Sequence, residues 1–384
     1  FLYKMKQTDY LILGAGASGL MLAYRMAKDP FFDHKSILIL DQEQNKGNDR
    51  TWCFWEKGTG EWDPLLSKEW SQIYFGALGK SKKISLGSFS YKMIRSEAFY
   101  KYIWNFIQHK ENISFVRDEV THIRPSEEQV QVNGKSKTYL ASKVFNSIPL
   151  NQTYSSQKKY PVLKQHFIGW FIQTKQDAFD EETATFMDFN IEQKGNTRFM
   201  YVLPFGKKEA LFEYTLFSEN LLAKESYEEA IEKYLSDKNI TDYRIVEKEQ
   251  GSIPMTCYPF ASENEKNIVN IGTAGGWTKA STGYTFANSS KKTKELVNFL
   301  KNDSDLNTFE KRSKYNLYDL LFLDVIAQHN ELGSTIFSNL FQKVHIHSLF
   351  RFLNEESNLM EDLKIIFSVP SIKFTQAIFK RFLP

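Results

Sequence analysis

The chain has 384 residues, which is long enough for two or three domains with a large apolar core. Its net charge is only +3, with acids and bases interspersed, so the composition excludes the concentrated basic surface of a nucleic-acid-binding protein. Two cysteines, Cys53 and Cys257, exclude a disulfide framework and a cysteine-based zinc site, and they favour a reducing compartment. The 32 phenylalanines indicate either a large apolar ligand or an aromatic-rich core.

The first predicted element is a strand that leads into a helix through a glycine-rich turn. The apolar run 10–13 is typical of a buried parallel strand, and Gly14, Gly16 and Gly19 follow at G-x-G-x-x-G spacing. Such glycines allow a tight turn, a close approach of the backbone to a pyrophosphate, and close packing of helix on sheet. A second strand ends in Asp41, where a carboxylate accepts hydrogen bonds from a ribose. The pattern predicts a dinucleotide site, and we expect no signal peptide ahead of it.

The next segment, 48–55, joins a charged end to an apolar end. Arg50 has the planar set of donors that suits a pyrophosphate. Two interpretations stay open for Trp52 and Trp55, which either line a flavin or an apolar tunnel or stack in the core. Cys53 is expected to be a small core residue.

Strands and helices follow in an order that predicts two sheets. Short strands and turns in 62–91 predict a second, β-rich domain, and a helix with an apolar face begins at Ser96. Further strands of the first domain are predicted at 113–116, 129–132, 137–140 and 143–146. Alternating residues predict one antiparallel sheet made from 166–174, 186–189, 197–203 and 210–216. A charged amphipathic helix is predicted at 224–235.

A second glycine-rich turn lies far along the chain. A predicted strand at 267–271 precedes the segment 272–284, and a helix follows to about residue 300. Two such turns predict that distant segments close on one cofactor. Beyond them the composition favours Phe- and Leu-rich helices, predicted at 316–327, 336–341, 347–353 and 372–382. No run of 18 apolar residues occurs, so no membrane-spanning helix is predicted.

One strand carries a candidate acid. The alternation in 210–216 places Leu211, Glu213 and Thr215 on one face. Sequence alone leaves Glu213 open between a solvent-facing position and a buried acid. Burial against an apolar ligand would raise its pKa and keep it protonated at rest.

Three other polar residues are weaker candidates for a catalytic or metal-binding role. Asp188 is flanked by Met and Phe, and its carboxylate has either a catalytic or a structural role. His345 and His347 stand at strand-like spacing, but no third ligand is nearby. We therefore predict no metal site, since zinc needs three or four protein ligands.

Several segments together resemble the flavoprotein lycopene cyclases of bacterial carotenoid synthesis. They occur in family order, and they are the G-x-G-x-x-G turn, NDRTWCFW at 48–55, 91–95, 187–189, 199–204, 213–215, 253–255 and 272–284. NDRTWCFW is the most specific of them. Three positions depart from the family pattern: Tyr214 replaces a second acid, Lys279-Ala280 replaces His-Pro, and Thr273 replaces the Asp of hydroxylase-fold relatives.

The resemblance implies an α/β fold. It consists of a Rossmann-like FAD-binding domain of the aromatic-hydroxylase type, a β-sheet substrate domain and C-terminal helices. The expected boundaries are 1–58, 93–152 and 250–305 for the FAD domain, 59–92 and 153–249 for the substrate domain, and 306–384 for the helices. FAD is then expected at Gly14, Gly16, Ala17, Ser18, Gly19, Asp41, Arg50, Thr51, Arg95, Val120, Gly272, Thr282, Gly283 and Tyr284. Of these, Val120 contributes a backbone contact to adenine.

The implied activity is that of a lycopene β-cyclase, which closes the linear ends of lycopene into β-ionone rings. The reaction needs reduced FAD, with NAD(P)H as the expected reductant, and has no net redox change. Glu213 is the expected acid and base, with Asp188 as the weaker candidate. Two alternatives stay open: an FAD-dependent monooxygenase or isoprenoid reductase acting on an apolar substrate, and a non-catalytic flavoprotein that binds an apolar ligand.

Substrate chemistry also implies a location. Lycopene is insoluble in water, so we expect a cytoplasmic enzyme bound peripherally to the inner face of the cell membrane. The basic amphipathic segment 372–382 suits an interfacial helix, with Lys373, Lys380 and Arg381 near anionic headgroups. Packing of its phenylalanines into the protein's own core is the alternative.

Overall fold

The computed structural model describes residues 7–126, 128–150, 152–302, 305–311 and 313–382. Its strands are β1 (Gln7–Leu13), β2 (Ile37–Asp41), β3 (Thr51–Lys57), β4 (Lys68–Trp70), β5 (Gln72–Ala77), β6 (Lys80–Ser85), β7 (Phe89–Arg95), β8 (Ile113–Arg117), β9 (Val120–Arg124), β10 (Val130–Gly134), β11 (Thr138–Asn146), β12 (Leu163–Thr174), β13 (Thr183–Asp188), β14 (Arg198–Gly206), β15 (Glu209–Ser218), β16 (Tyr243–Met255) and β17 (Ile268–Asn270). Its α-helices are α1 (Ala17–Lys28), α2 (Ser96–Ile107), α3 (Thr153–Ser156), α4 (Lys224–Asp237), α5 (Phe286–Leu300), α6 (Lys314–Gln328), α7 (Gly333–Lys343), α8 (Ile346–Leu353), α9 (Leu359–Ser368) and α10 (Ser371–Phe382).

The first sheet has the strand order β8-β2-β1-β11-β10-β9, with β17 beside the end of β11. Its strands β8, β2, β1, β11 and β17 are parallel, whereas β10 and β9 are antiparallel. Helices α1, α2 and α5 bury their apolar sides in a common core with the central strands. Parallel strands covered in this way read as continuous apolar runs, which explains the run at 10–13.

The second sheet has the order β16-β12-β15-β14-β13-β5-β6. One face is covered by α4, and side chains such as Phe212 and Tyr214 pack there. The opposite face carries Leu211, Phe199 and Phe217, which belong to a core shared with helices from the C-terminal part of the chain. The alternation along β15 therefore separates a helix-covered face from a face that looks into the middle of the molecule.

A third, small sheet has the order β3-β7-β4 and joins the two larger sheets. Trp55 of β3 stacks on Phe350 of α8, with ring centroids 4.8 Å apart. Phe75 stacks on Phe341 in the same core at 4.2 Å. The aromatic side chains thus pack largely in the core, and some of them line the central cavity described below.

Several predicted elements differ from the observed ones. The strands expected at 137–140 and 143–146 are one strand, β11, because nothing in Ala141-Ser142 interrupts pairing with β1 and β10. The four segments expected to form one antiparallel sheet do so as β12, β15, β14 and β13, but the same sheet continues beyond them through a parallel pair, β13 with β5. Helix α9 was missed, although Asn358 and Glu361 form a capping box at its start.

Other differences concern single residues and boundaries. His345 and His347 are not strand residues, since His345 caps α8 and His347 lies in its first turn. Strand β16 crosses the expected boundary at residue 250, and β7 pairs with β3 and β4 outside the second sheet. The division into three domains with those boundaries stays a prediction.

Candidate functional site

The first glycine-rich turn has the geometry that its sequence predicts. Gly14 has φ +94°, a conformation that favours glycine. A Cβ atom at Gly19 would lie 2.0 Å from the Gly14 carbonyl oxygen, so only glycine permits this contact of helix with strand. A Cβ atom at Gly16 would meet nothing within 4 Å, and Gly16 caps α1 without any side-chain hydrogen bond. The start of α1 therefore faces open space with its first amides and its positive dipole end.

The second glycine-rich turn lies directly against the first. Gly272 has φ +61°, and a Cβ atom there would lie 2.5 Å from Ser18 Oγ. Ser18 and Ser289 of α5 share a hydrogen bond of 2.8 Å between their hydroxyls. The prediction that two distant glycine-rich turns come together is confirmed.

A cavity of about 1160 Å³ starts at these turns and extends to the second sheet. The expected cofactor residues that line it are Gly16, Ala17, Ser18, Arg50, Thr51, Gly272, Thr282, Gly283 and Tyr284. On the side of the second sheet its lining includes Phe186, Phe199, Phe217, Glu213 and Glu249. One continuous space therefore connects a site for an anionic group with an aromatic, acidic compartment.

Four of the expected cofactor residues support the first turn or lie behind it. Gly14 and Gly19 form the turn itself. The Asp41 carboxylate accepts hydrogen bonds from the amide of Ala15 at 2.6 Å and from Lys46 Nζ at 2.7 Å. The side chain of Val120 is buried in the core, while the next residues of β9, 121–123, line the cavity.

Arg95 is not brought to the cavity. Its guanidinium forms an ion pair with Glu247 of β16 at 2.6 Å and donates to Thr51 Oγ1 at 3.0 Å. The guanidinium also lies 4.2 Å from the centre of the Phe171 ring. Arg50 does line the cavity, and its side chain is mostly exposed. Of the two arginines, only Arg50 is therefore placed for an anionic ligand.

Glu213 is buried and faces the cavity. Only 8% of the residue is exposed, and Thr215 Oγ1 donates a hydrogen bond of 2.6 Å to its Oε1. Burial, together with the nearby Glu249, raises the pKa of Glu213 to about 8. The alternative of a solvent-facing Glu213 is excluded, and a protonated carboxyl is favoured at neutral pH.

Glu249 is a second carboxylate in the same cavity, and sequence reasoning missed it. Gly169 of β12 pairs with Glu213 on one side and with Glu249 on the other, so both glutamates lie on the same face. A Cβ atom at Gly169 would lie 3.1 Å from Glu249 Cγ and 2.9 Å from Leu211 Cδ1. A glycine inside a strand often marks such a close approach, and it is the signal that the sequence offered.

The two carboxylates have different surroundings. Thr51 Oγ1 donates to Glu249 Oε2 at 2.8 Å, and Arg95 donates to that same hydroxyl. Burial raises the pKa of Glu249 to about 7, although Thr51 and Arg95 favour its charged form. Among the described residues, no cation forms an ion pair with Glu213.

Aromatic side chains and hydroxyls form the wall next to Glu213. The hydroxyl of Tyr91 shares hydrogen bonds with those of Tyr284, at 2.8 Å, and Tyr201. Burial raises the pKa of all three phenols, so they remain neutral. Cys53 also lines the cavity and is not a plain core residue, and burial raises its pKa to about 12. The wall thus combines π faces with weakly acidic, uncharged groups.

Two polar atoms in the cavity lack partners among the described residues. Thr282 Oγ1 and Gln165 Oε1 are both buried, and neither has a hydrogen-bond partner there. A buried polar atom without a partner carries a free-energy cost that a ligand can remove. Together with the open space at Gly16, these atoms fit an extended ligand that spans the two glycine-rich turns.

The turn that carries Thr282 is fixed from behind by Lys279. The amide of Gly283 donates to the Lys279 carbonyl at 2.8 Å, and the Lys279 amide donates to the carbonyl of Tyr284 at 2.9 Å. The buried ammonium forms ion pairs with Asp319 of α6 and Glu355, each at 2.9 Å. Lys279 therefore anchors the second turn to the C-terminal helices.

Asp188 is not brought to the cavity. It is buried between the second sheet and α4, where its carboxylate accepts hydrogen bonds from Tyr234 Oη at 2.8 Å and from the Asn190 amide at 3.0 Å. These contacts support the structural alternative over the catalytic one. His347 Nε2 donates to the Leu86 carbonyl at 2.7 Å, and no cluster of three metal-ligating side chains occurs in the described part of the chain.

Comparison with known families agrees with this arrangement. The family model described as lycopene cyclase protein matches residues 9–379, nearly the whole chain. The chain belongs to the lycopene cyclase family. No protein among curated sequences matches it.

Solved structures of this fold include a geranylgeranyl bacteriochlorophyll reductase-like protein from Thermoplasma acidophilum, with 10% identity, TM-score 0.60, and coverage of 98% of this chain and 97% of that one. The flavin-dependent brominase Bmp2 has 14% identity, TM-score 0.54, and coverage of 98% and 99%. A p-nitrophenol 4-monooxygenase from Pseudomonas putida DLL-E4 has 11% identity, TM-score 0.54, and coverage of 97% and 99%. This lycopene cyclase family member thus has the predicted α/β fold, with a Rossmann-like domain of the aromatic-hydroxylase type, a β-sheet domain and C-terminal helices.

Proposed function

We propose that this protein is a lycopene β-cyclase that uses reduced FAD. The observation that carries the proposal is Glu213, a buried carboxyl that faces an aromatic cavity continuous with the dinucleotide-type turn. A carboxyl held protonated by burial is the group needed to protonate an alkene. Family membership and the relation of the fold to flavin-dependent enzymes support the same assignment.

The proposed reaction begins with transfer of the Glu213 proton to a terminal C=C bond. The electron pair of that bond forms the new C–H bond and leaves a cationic carbon, which a second C=C bond of the chain attacks to close the ring. The ring cation then loses a proton to a carboxylate, and the C–H electron pair becomes the ring double bond. One proton enters and one leaves, so the product is an isomer of the substrate.

The cavity supplies two means of stabilising the cationic intermediates. The rings of Phe186, Tyr201 and Tyr284 present π faces along the wall. FAD in its reduced, anionic form would add a negative charge from the side of the turns at Gly16 and Gly272. NAD(P)H is the proposed reductant, and it is needed only to keep the flavin reduced.

We further propose that the protein draws its substrate from a membrane surface. None of the helices in the described part of the chain has the length and hydropathy needed to span a bilayer. Helix α9 exposes a row of large apolar side chains, with Met360 at 65% and Phe367 at 77% exposure. Its acids Glu361 and Asp362 are buried in ion pairs with Arg351 and Lys314, so they do not oppose an anionic surface.

Helix α10 contributes less to this surface than its sequence predicts. Arg381 forms an ion pair with Asp324 of α6, and Ala377 and Phe374 pack toward the core. Ile372 and Phe379 remain exposed beside α9. The proposed membrane face is therefore shared by α9 and α10, and α9 carries most of it.

Expression in a lycopene-accumulating host tests the proposed function. We expect β-carotene or its singly cyclised precursor in extracts analysed by chromatography, and lycopene alone from the Glu213→Gln variant. Unchanged lycopene with the wild-type protein would contradict the proposal. Oxygenated or hydrogenated products would instead support the monooxygenase or reductase alternative, because those reactions consume reductant with each turnover.

A further inference from the structure

The second carboxylate of the cavity has a function that the proposed role of Glu213 leaves unexplained. Glu213 and Glu249 occupy neighbouring strand positions on either side of Gly169, which has no side chain to separate them. With adjacent strands roughly 4.8 Å apart, their Cα atoms are separated by about twice that distance. Both side chains are long enough to reach toward each other above Gly169, and both line the cavity.

We propose that Glu249 is a positioning residue that keeps the proton on Glu213, and that Thr51 and Arg95 make Glu249 the carboxyl of the pair that loses its proton first. This inference rests on the proposed function and deepens it. Arg95 donates to Thr51, and Thr51 in turn donates to Glu249, so a directed chain of donors ends on one carboxylate only. Within the described residues, the Glu213 carboxyl accepts its one hydrogen bond from the neutral hydroxyl of Thr215.

The difference in surroundings decides where one shared proton resides. Like charges close together in a cavity of low dielectric cannot both be ionised without a large cost. The carboxyl with the better donors therefore keeps the charge, and the other keeps the proton. Burial raises the pKa of both groups, and the charge of Glu249 raises that of Glu213 further, whereas the contacts with Thr51 and Arg95 lower that of Glu249.

Other features show that the pair belongs to a ligand-binding space and is not an isolated acidic cluster. Thr282 Oγ1, in a residue with 8% exposure, lines the same cavity without a partner among the described residues. Gly169 leaves room for the approach of Glu249, since a Cβ atom there would crowd Glu249 Cγ at 3.1 Å. Strand register, and not chance surface placement, brings the two acids together.

The contacts from Arg95 to Thr51 and from Thr51 to Glu249 explain why Arg95 does not line the cavity. The resemblance implied a contact to phosphate or flavin for Arg95 and Thr51. In the structure the Arg95 guanidinium binds Glu247 of β16 and donates to Thr51 of β3, which in turn donates to Glu249 of β16. Tyr214, which replaces the family's second acid, packs on the opposite face, whereas Glu249 lies beside Glu213 on the cavity side.

The test is the pH profile of cyclisation by wild type, Glu249→Gln and Glu249→Asp, each with chemically reduced FAD in excess. Wild-type activity should fall on the alkaline side, as Glu213 loses its proton. In Glu249→Gln that alkaline limb should move to lower pH by roughly 1–3 units, because the neighbouring negative charge is gone. Glu249→Asp should restore much of the wild-type profile, and Glu209→Gln, at an exposed acid on the strand that carries Glu213, should leave it unchanged.

A second readout does not depend on turnover. Infrared spectra of the FAD-bound protein across the same pH range should show a protonated carboxyl band that Glu213→Gln lacks. The midpoint of that band should fall in Glu249→Gln by the same shift as the alkaline limb. Retained FAD and an unchanged circular dichroism spectrum confirm that each variant is folded.

The outcomes separate this inference from the proposed function. Absence of cyclised product with the wild-type protein would remove the proposed function itself. Cyclisation that depends on Glu213 but has the same pH profile and infrared midpoint in Glu249→Gln would overturn only the role of Glu249. Loss of activity at every pH in Glu249→Gln, with FAD retained, would make Glu249 the proton donor and also overturn the assignment.

Discussion

The two ends of the cavity are built in different ways. At the turn end, Gly16 and residues 272–274 of the two glycine-rich turns line the cavity. At the acidic end, Glu213 and Glu249 lie on β15 and β16, the two strands that flank Gly169 of β12 in the second sheet. The turn end suits retention of a cofactor and the acidic end suits proton transfer. Substitutions should therefore separate binding from chemistry.

The largest expected effect is at the acidic end. Glu213→Gln preserves size and removes the transferable proton, so cyclisation should fall by at least ~10²–10⁴-fold. FAD content should stay at the wild-type level, because Glu213 belongs to the second sheet and not to either glycine-rich turn. Lycopene conversion with chemically reduced FAD measures the first quantity, and flavin absorbance measures the second. Glu213→Asp should retain part of the activity, limited by its shorter reach.

Wild-type conversion by Glu213→Gln would mean that the proton comes from another group and that our mechanism is wrong. Loss of FAD in the same variant would mean that the two ends are not independent. Glu209→Gln is the matched control, since this exposed acid lies on the same strand and contacts Gln173.

The turn end should show the opposite pattern. In Gly16→Val the new side chain enters the open space beside the turn, so FAD binding should be lost while folding is preserved. In Gly19→Val the new Cβ atom meets the Gly14 carbonyl oxygen at 2.0 Å, so stability should fall by about 3 kcal/mol or more. Flavin titration and urea unfolding distinguish these results. A Gly16→Val protein that binds FAD with wild-type affinity would contradict the cofactor site.

The acidic end should also make stability depend on pH. The folded-state pKa values of Glu213 and Glu249, about 8 and about 7, lie above the ordinary value of 4.5, so the folded state binds more protons. Their contribution is complete below pH 4.5 and is lost as pH rises through 7 and 8. Each pKa unit corresponds to at most about 1.4 kcal/mol per group. Urea midpoints should thus decline across this range, and the Glu213→Gln/Glu249→Gln double variant should decline less.

The smallest expected effect lies outside both ends, on the proposed membrane face. Met360→Asp with Phe367→Asp should weaken binding to anionic vesicles by about tenfold or more, since each side chain loses part of the about 1.5–3 kcal/mol that full apolar burial gives. Activity on detergent-dispersed lycopene should be unchanged. Val246→Asp, at an exposed apolar residue of β16, is the control for added charge. Equal vesicle binding by the double variant and wild type would remove α9 from the membrane face.

Sequence alone determined the features that depend on neighbouring residues. The G-x-G-x-x-G spacing predicted the turn at Gly14, because its φ and its contacts are set within a few residues. The alternation along β15 predicted that Glu213, Leu211 and Thr215 share a face, because the side-chain period of a strand is fixed at two. The family assignment, which rested on local motifs, was also confirmed, because such motifs can be recognised without knowing the fold.

Tertiary structure alone decided which distant residues meet. The pairing of β16 and β15 with β12 placed Glu249 opposite Glu213, and no local pattern fixes the lateral order or register of strands so far apart in the chain. Arg95 was assigned to the cofactor by its motif, but its partner is Glu247, which another strand supplies. Burial of Glu213 likewise depends on the C-terminal helices and the third sheet that close the core around it. Burial and like-charge proximity are properties of the assembled fold, and they are what convert an ordinary glutamate into a proton donor.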